Sequence, residues 1–313
     1  MVDGLKVGEP ISGGSAHAVA LAAPPAAWER RRKPRAWRID AIGLLLVPAL
    51  LLLLLCLGIP LIVILVSSFQ PNVLLQRDGP GVYNYVHLLT QPYYSAVLVR
   101  SIRLALLATV ITLPLGYLAA LLLPRAGGRA GNFAIMGLTF PILAGPLVVI
   151  LGWMALLPGH GLLFGPLVRW GLISPPRLIG TETAVVISLT QFLLPFAILT
   201  LYTAIKQIPR ELYEAAESLG AGPVREFRDV TLPLSLPAVL STAIILFSLG
   251  ASSYISPHYL GGASELTLTT LIAQFILATY NNPLAGAAAI LLLLVMLVSI
   301  AGLVLIFRRF IRP

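Results

Sequence analysis

The chain has 313 residues, of which 58% are hydrophobic and only 11% are charged, and its formal net charge is +9. Soluble domains carry about 25% charged residues, so this composition excludes an ordinary soluble protein. The basic residues lie beside apolar stretches and not on a folded face with interleaved aromatic residues, which excludes a nucleic-acid-binding protein. Cys56 is the only cysteine in the sequence, so a disulfide framework and a cysteine-based metal cluster are excluded too.

Residues 1–40 combine a Gly/Ala/Ser/Pro-rich stretch with a basic run that includes Arg30–Lys33. Such a stretch has little to bury, so we expect a mobile, basic N-terminal tail. The apolar run Ala41–Phe69 that follows is too long for the hydrophobic region of a signal peptide, and no small-residue cleavage site comes after it. This run is therefore predicted to be a transmembrane helix.

Five more apolar segments each approach the roughly 20 residues needed to cross the hydrocarbon core of a bilayer. These segments are Ile102–Leu123, Phe133–Leu157, Ala184–Ile205, Ala238–Tyr259 and Leu284–Phe307. Before the last of them lies a helical-looking stretch, Leu268–Leu277, which we expect to be re-entrant or to lie on the membrane surface. The predicted fold class is all-α: a polytopic integral membrane protein with six transmembrane helices in one domain, residues 41–313.

The distribution of basic residues predicts the orientation of the six spans. With the N-terminus inside, sixteen Lys and Arg residues lie on the inner side and five on the outer side. Cytoplasmic loops carry the excess of Lys and Arg, so both termini are predicted to be cytoplasmic. The same count places the longest polar interval between two spans, residues 206–237, in the cytoplasm.

This interval, residues 206–237, predicts a helix–turn–helix elbow. Pro209 suits the first position of a helix, and Gly220 suits the position just after a helix end, which favours a left-handed conformation. A second short helix is predicted to begin at Pro223 and to stop at Pro233. The first helix has one face of small and apolar residues at i, i+3, i+4 and i+7 spacing: Leu212, Ala215, Ala216 and Leu219. Carboxylates surround this face: Glu211, Glu214 and Glu217. Such an elbow has the shape of a plug for a groove on another protein.

The elbow also carries a motif with fixed spacing. Glu214-Ala215-Ala216, three residues, Gly220, nine residues and Val230-Thr231-Leu232-Pro233 match the signature EAA---G---------I-LP, with valine in place of isoleucine. The chain thereby resembles the membrane permease subunit of a bacterial ABC-type importer, with type I permease architecture. In that family the elbow is the coupling helix, which docks into a cleft of a separate ATPase subunit. The resemblance implies ATPase coupling for the following residues: Glu211, Leu212, Glu214, Ala215, Ala216, Leu219, Gly220 and Pro233. The alternative is an ordinary cytoplasmic loop with two short amphipathic helices.

The resemblance also implies the partners of the chain. They are two ATP-binding cassette ATPase subunits, a second permease that is a homologue or another copy, and a periplasmic or extracellular solute-binding protein, assembled at the bacterial inner membrane. No cofactor is expected in this chain, because ATP and Mg belong to the partner ATPases. The sequence agrees, since none of its three lysines follows a glycine as a Walker A loop requires. The chain itself is therefore predicted not to be an enzyme.

Charged residues are scarce within the spans. No span carries an acidic residue near its middle, which disfavours a secondary transporter with a proton relay. The four histidines are scattered, and none stands at metal-ligand spacing to another. Glu182 stands just before the fourth span, where the helix N-terminus favours an acid, although a cation site in the outer mouth is an alternative.

The fifth span and its exit, Phe247–Gly262, interrupt an apolar helix with small and hydroxyl residues, and Pro257 frees backbone carbonyls. Irregular backbone at membrane depth is tolerated where it is buried in protein or lines a cavity. The candidate substrate-pathway residues are therefore Ser252, Ser253, Tyr254 and Tyr259, with Glu182 at the mouth. Close packing of helices through small residues explains the same stretch equally well.

Together with Asn84-Tyr85 and the turn Leu260-Gly261-Gly262, this exit is similar to the spermidine/putrescine-type branch of the permease family. The resemblance implies uptake of a polyamine or a similar organic cation. Neighbouring branches handle iron, sulfate, thiamine, phosphonates or opines, which stay as alternatives. A channel or secondary transporter that works without ATP is the alternative from another class.

Overall fold

The computed structural model describes residues 41–72, 81–126 and 128–311. The predicted N-terminal tail, residues 1–40, lies outside the described residues. Of these described residues, those up to Cys56 form one unit and those from Leu57 onward form another, and the contacts below belong to the second unit.

Eleven α-helices lie in the described part of the chain. They are α1 (Ala41–Ser68), α2 (Tyr83–Thr90), α3 (Pro92–Leu122), α4 (Gly128–Leu156), α5 (Gly165–Arg169), α6 (Glu182–Lys206), α7 (Arg210–Ser218), α8 (Pro223–Glu226), α9 (Leu232–Ala251), α10 (Leu268–Leu277) and α11 (Asn282–Ile311). Six helical segments are long and apolar enough to cross a membrane, and they contain α1, α3, α4, α6, α9 and α11. The predicted all-α fold with six transmembrane helices is confirmed. The predicted helix Leu268–Leu277 is α10.

Helix α3 begins earlier than predicted, at Pro92 rather than at Ile102. Its N-terminal part carries two arginines, Arg100 just before the predicted span and Arg103 at the start of that span. Arg100 pairs with Glu265 at 3.3 Å, and Arg103 pairs with Glu182 at the start of α6. Because opposite charges offset both guanidinium groups, the helix continues through them.

The centre of the bundle is α3, which packs against α6 and α9. Small residues let these backbones approach: a Cβ added to Gly116 of α3 would lie 2.5 Å from Ala197 Cβ of α6. Gly250 of α9 lies against Ala105 of α3 in the same way, since an added Cβ would lie 3.5 Å from its Cα. In a bilayer the hydrophobic effect does not drive helices together, so close van der Waals packing of this kind contributes to holding the three helices together.

A cluster of buried asparagines connects α2 to two other helices. It joins α2 to the C-terminal end of α1 and to the N-terminal end of α11. Asn84 of α2 donates hydrogen bonds to the carbonyls of Ser68 at 2.9 Å and Gln70 at 3.2 Å, and Asn72 donates to Asn84 Oδ1 at 3.3 Å. Asn281, just before α11, donates to Asn72 Oδ1 at 3.1 Å. The asparagines and carbonyls satisfy one another, so this end of the bundle tolerates several polar groups in an apolar setting.

Helix α4 is broken near the middle of its membrane span, Met136–Leu156. Gly145 has φ 78° and ψ 156°, and prolines stand at positions 141 and 146. Pro146 has no N–H, so the carbonyl of Ile142 lacks the partner that a continuous helix would give it. The span therefore consists of two helical segments joined at Gly145.

The elbow joins α9 without the stop that was predicted at Pro233. A π-helical turn, Phe227–Thr231, continues α8 directly into α9, and Leu232 N–H bonds to the carbonyl of Phe227 five residues earlier. The prediction that Pro233 ends the second helix was wrong, because the proline lies in the first turn of α9, where a missing N–H is tolerated.

Candidate functional site

The first helix of the elbow, α7, ends in a glycine turn. Gly220 has φ 78°, the left-handed conformation predicted for it. Its N–H bonds to the carbonyl of Glu217 at 2.9 Å, and the N–H of Ala221 bonds to the carbonyl of Ala216 at 3.0 Å. These two bonds form a Schellman motif, which satisfies the last carbonyls of the helix and fixes the direction in which the chain leaves it.

The predicted apolar face of α7 is open to its surroundings. None of the residues of α7 is buried, and Leu219 is 86% exposed. The face borders a groove of about 490 Å³ whose other side is formed by α8 and the π-helical turn. The groove is lined by Leu212, Ala215, Ala216, Leu219, Ala221, Arg225, Asp229 and Val230. Four of the predicted coupling residues therefore meet in one groove.

The three glutamates of α7 are exposed, like its apolar face. Glu214 pairs with Arg210 one turn earlier at 3.2 Å, and both side chains are largely exposed. Such an exposed pair contributes little to the stability of the helix, so Glu214 remains available to a partner. Glu211 lies in the first turn, where the helix dipole favours an acid.

The opposite side of the elbow contacts the bundle through aromatic and hydroxyl groups that the sequence did not single out. Phe227 of the π-helical turn packs edge-to-face on Tyr117 of α3, with ring centroids 5.8 Å apart. The Tyr117 hydroxyl hydrogen-bonds to Ser235 Oγ of α9 at 2.6 Å. Tyr213 of α7 contacts Thr231 Oγ1 at 3.5 Å. Tyr117 thus contacts both the elbow and the first turns of α9.

A cavity of about 390 Å³ lies between α4, α6 and the chain that follows α9. Three of the predicted pathway residues, Ser252, Ser253 and Tyr254, line it, where the backbone leaves helical geometry between α9 and the π-helical turn Pro257–Gly261. The remaining lining residues are Pro146, Val149, Ile150, Ser188, Leu189, Phe192, Leu249, Ile255 and Ser256. Two helix breaks, one in α4 and one after α9, therefore face the same cavity.

Two predicted pathway residues do not line this cavity. Tyr259 lies in the π-helical turn after α9, 40% exposed, and its ring meets His258 edge-to-face at 4.9 Å. Glu182 occupies the first turn of α6, after the N-cap Thr181, and its carboxylate pairs with Arg103. Three of the five predicted pathway residues therefore lie together in the cavity wall, whereas Glu182 pairs with Arg103 outside the cavity.

Comparisons with known proteins show the family to which the chain belongs. A family model described as the inner membrane component of binding-protein-dependent transport systems matches residues 112–313, which include the elbow and the cavity. The chain belongs to this family. The spermidine/putrescine transport system permease protein PotB of Haemophilus influenzae is 32% identical over 240 residues, 74% of this chain and 82% of that protein. PotB of Escherichia coli is 31% identical over 214 residues, 68% of this chain and 78% of that protein.

The fold of this permease is that of known importers. A chain of a bacterial ABC transporter involved in the import of the acidic polysaccharide alginate superposes with a TM-score of 0.74. The match covers 88% of this chain and 97% of the other at 19% identity. The predicted permease architecture is confirmed, and the protein is a multi-pass component of an ABC importer in the inner membrane.

Proposed function

We propose that this permease forms half of a translocation pore and couples ATP hydrolysis on partner subunits to the uptake of a polyamine or a similar small organic cation. The main support for the proposed coupling is the exposed apolar groove of the elbow. A groove of this size with no buried residue on α7 is suited to a docking partner, and its motif has the spacing of the coupling helix. Two ATPase subunits hold ATP and Mg, a second permease completes the pore, and a solute-binding protein delivers the solute.

The subunit composition is tested by purification. The tagged permease should co-elute from membranes with an ATPase subunit, and with a second permease unless the pore is formed by two copies of this chain. Mass spectrometry identifies these subunits, and ATP hydrolysis by the complex should rise when the solute-binding protein is added. A chain that purifies alone and conducts solute without ATP would instead be a channel or a secondary transporter.

We also propose that both termini are cytoplasmic, with a separate tail over residues 1–40 and the elbow of the permease domain on the cytoplasmic side. Single cysteines introduced at Ser15 and Pro313, in a Cys56→Ala background, should resist a membrane-impermeant thiol reagent in intact cells. One introduced at Asp78 should react. The reverse pattern of labelling would contradict the orientation.

The proposal of a polyamine rests on the two PotB relatives, which are named for spermidine and putrescine, and on the chemistry of the cavity. None of the residues that line the cavity is charged, and hydroxyl and aromatic groups are among them. Such groups hold a cation weakly, through contacts of about 0.5–2 kcal/mol each. A cation that is held weakly in the cavity is released readily into the cytoplasm. We therefore expect the external binding protein, and not the cavity, to discriminate among solutes.

Calorimetry on that binding protein tests the solute directly. Spermidine or putrescine should bind tightly, whereas ferric iron, sulfate and an aminophosphonate should give no response. Tight binding of an anion or a metal, with no response to either polyamine, would contradict the polyamine proposal and leave the importer family unchanged.

A further inference from the structure

We propose that the cavity between the break in α4 and the break after α9 is a transient binding site for the ammonium-terminated alkyl chain of the solute. This inference rests on the proposed uptake of an organic cation. It assigns the site to Ser188, Phe192, Ser253 and Tyr254, two of which lie on α6, outside the stretch that the sequence singled out.

The first observation is a buried hydroxyl that the protein does not use. Ser188 is 1% exposed and lines the cavity, and its hydroxyl makes no hydrogen bond to any residue that the structure describes. Helical serines normally bond to a carbonyl of the preceding turn, as Ser248 Oγ does with the carbonyl of Ile244 at 2.8 Å. Because Ser188 lines the cavity, its hydroxyl oxygen is free to accept a hydrogen bond from a ligand there.

Further acceptors surround the same space. The Ser253 and Tyr254 hydroxyls line the cavity and likewise make no hydrogen bond within the described part of the chain. Across the cavity, Pro146 of the break in α4 adds an apolar ring to the lining. An ammonium group has three N–H donors and no acceptor, so hydroxyl oxygens and free carbonyls are what it requires.

The rest of the lining determines which part of a solute fits beside the ammonium group. Phe192 and Tyr254 offer aromatic faces, which attract a cation, and Tyr254 is held by a stacked His258 with centroids 5.0 Å apart. Val149, Ile150 and Leu189 form an apolar wall that suits a methylene chain. An oxyanion would find no arginine, lysine or histidine among the lining residues, and burying it without such a partner is costly.

The site is tested by thiol chemistry that needs neither the binding protein nor ATP. The full-length chain, with the subunits that purify with it, is placed in lipid nanodiscs with Ser253→Cys in a Cys56→Ala background. A matched variant carries Thr90→Cys at an exposed position of α2. The rates of modification by cationic aminoethyl methanethiosulfonate and anionic sulfonatoethyl methanethiosulfonate are measured on this chain by mass spectrometry.

We expect the ratio of cationic to anionic rate to be about tenfold higher at the Ser253→Cys thiol than at the Thr90→Cys thiol, which equals about 1.4 kcal/mol of preference for a cation. Putrescine should slow modification at the first position and not at the second. Adding Ser188→Ala should raise the putrescine concentration for half-protection by at least about threefold, since an acceptor is lost. Adding Ser248→Ala, whose hydroxyl bonds within its own helix, should not raise it.

Equal rate ratios at the two positions would overturn the assignment of a cation site. A high ratio without protection by putrescine would overturn the assignment of an alkylammonium ligand. Equal effects of Ser188→Ala and Ser248→Ala would remove Ser188 from the site. Failure of the binding protein to take up polyamines is a separate result, because these rates report on the permease alone.

Discussion

Replacing Gly220 with valine should uncouple the permease from its ATPase while leaving it in the membrane. Gly220 has φ 78°, and a Cβ built on it meets no described atom within 4 Å. A side chain there has room, so the whole effect comes from the backbone conformation. An L-residue in the left-handed region costs about 1–2 kcal/mol, and the β-branched valine stands at the upper end of that range.

This cost sets the size of the expected effect. A penalty of about 1–2 kcal/mol lowers the population of the native turn by a factor of about 5–30. If the turn relaxes instead, the bonds from Gly220 N–H to Glu217 and from Ala221 N–H to Ala216 are lost, and the second arm of the elbow changes direction. In either case fewer complexes present the groove in the geometry that docking requires.

The assay is ATP hydrolysis by the purified complex, stimulated by the solute-binding protein, in proteoliposomes. Gly220→Val should reduce the stimulated rate by at least about fivefold. Gly222→Val is the matched control, because Gly222 also has open space for a Cβ but has φ −76° and ψ 170°, which valine adopts readily. Gly220→Asn should retain most of the activity, since asparagine tolerates the left-handed region. Equal rates for Gly220→Val and Gly222→Val, with all subunits assembled, would refute the reasoning.

Two further substitutions test the packing of the bundle. Gly116→Ala should lower the apparent melting temperature of the purified permease, because the added Cβ would lie 2.5 Å from Ala197 Cβ and overpacking costs about 1–3 kcal/mol. Gly152→Ala, whose Cβ meets no described atom within 4 Å, is the control, and an equal fall in both variants would contradict the packing argument. Asn84→Leu should also lower the melting temperature, since it removes the 2.9 Å donor to the buried carbonyl of Ser68 at a cost of about 1–3 kcal/mol. An unchanged temperature would show that the asparagine cluster does not hold this end of the bundle.

The positions of the spans could be predicted because the bilayer imposes a length of about 20 apolar residues on any helix that crosses it. The glycine turn at Gly220 could be predicted for a similar reason, since its signal is local in the sequence. The start of α3 could not, because Arg100, just before the predicted span, is tolerated through its pairing with Glu265, which lies far along the chain. A hydropathy scale counts the charge of an arginine but not the counter-ion that offsets it.

The cavity was predictable only in part. The run after α9 shows its irregularity in the sequence, so Ser252, Ser253 and Tyr254 could be selected. Ser188 and Phe192 lie in an ordinary apolar helix, and only the packing of α6 against the two breaks places them in the cavity wall. The break in α4 does have a sequence signal, the dipeptide Gly145-Pro146 after Pro141, which marks a break as readily as it marks a turn.

Helix α9 has one end at each candidate site. Its first turns hold Ser235, bonded to Tyr117 next to the elbow, and its last residue precedes Ser252 in the cavity wall. The helix has 20 residues, a length of about 30 Å, and contains Pro237 in its interior. A π-helical turn stands at the elbow end and an interruption of the helix at the cavity end, and such irregular turns are frequent at functional sites. If the proposed ATPase displaces the elbow, α9 joins that displacement directly to the wall of the cavity, and this is the route by which we propose that docking promotes release of the solute.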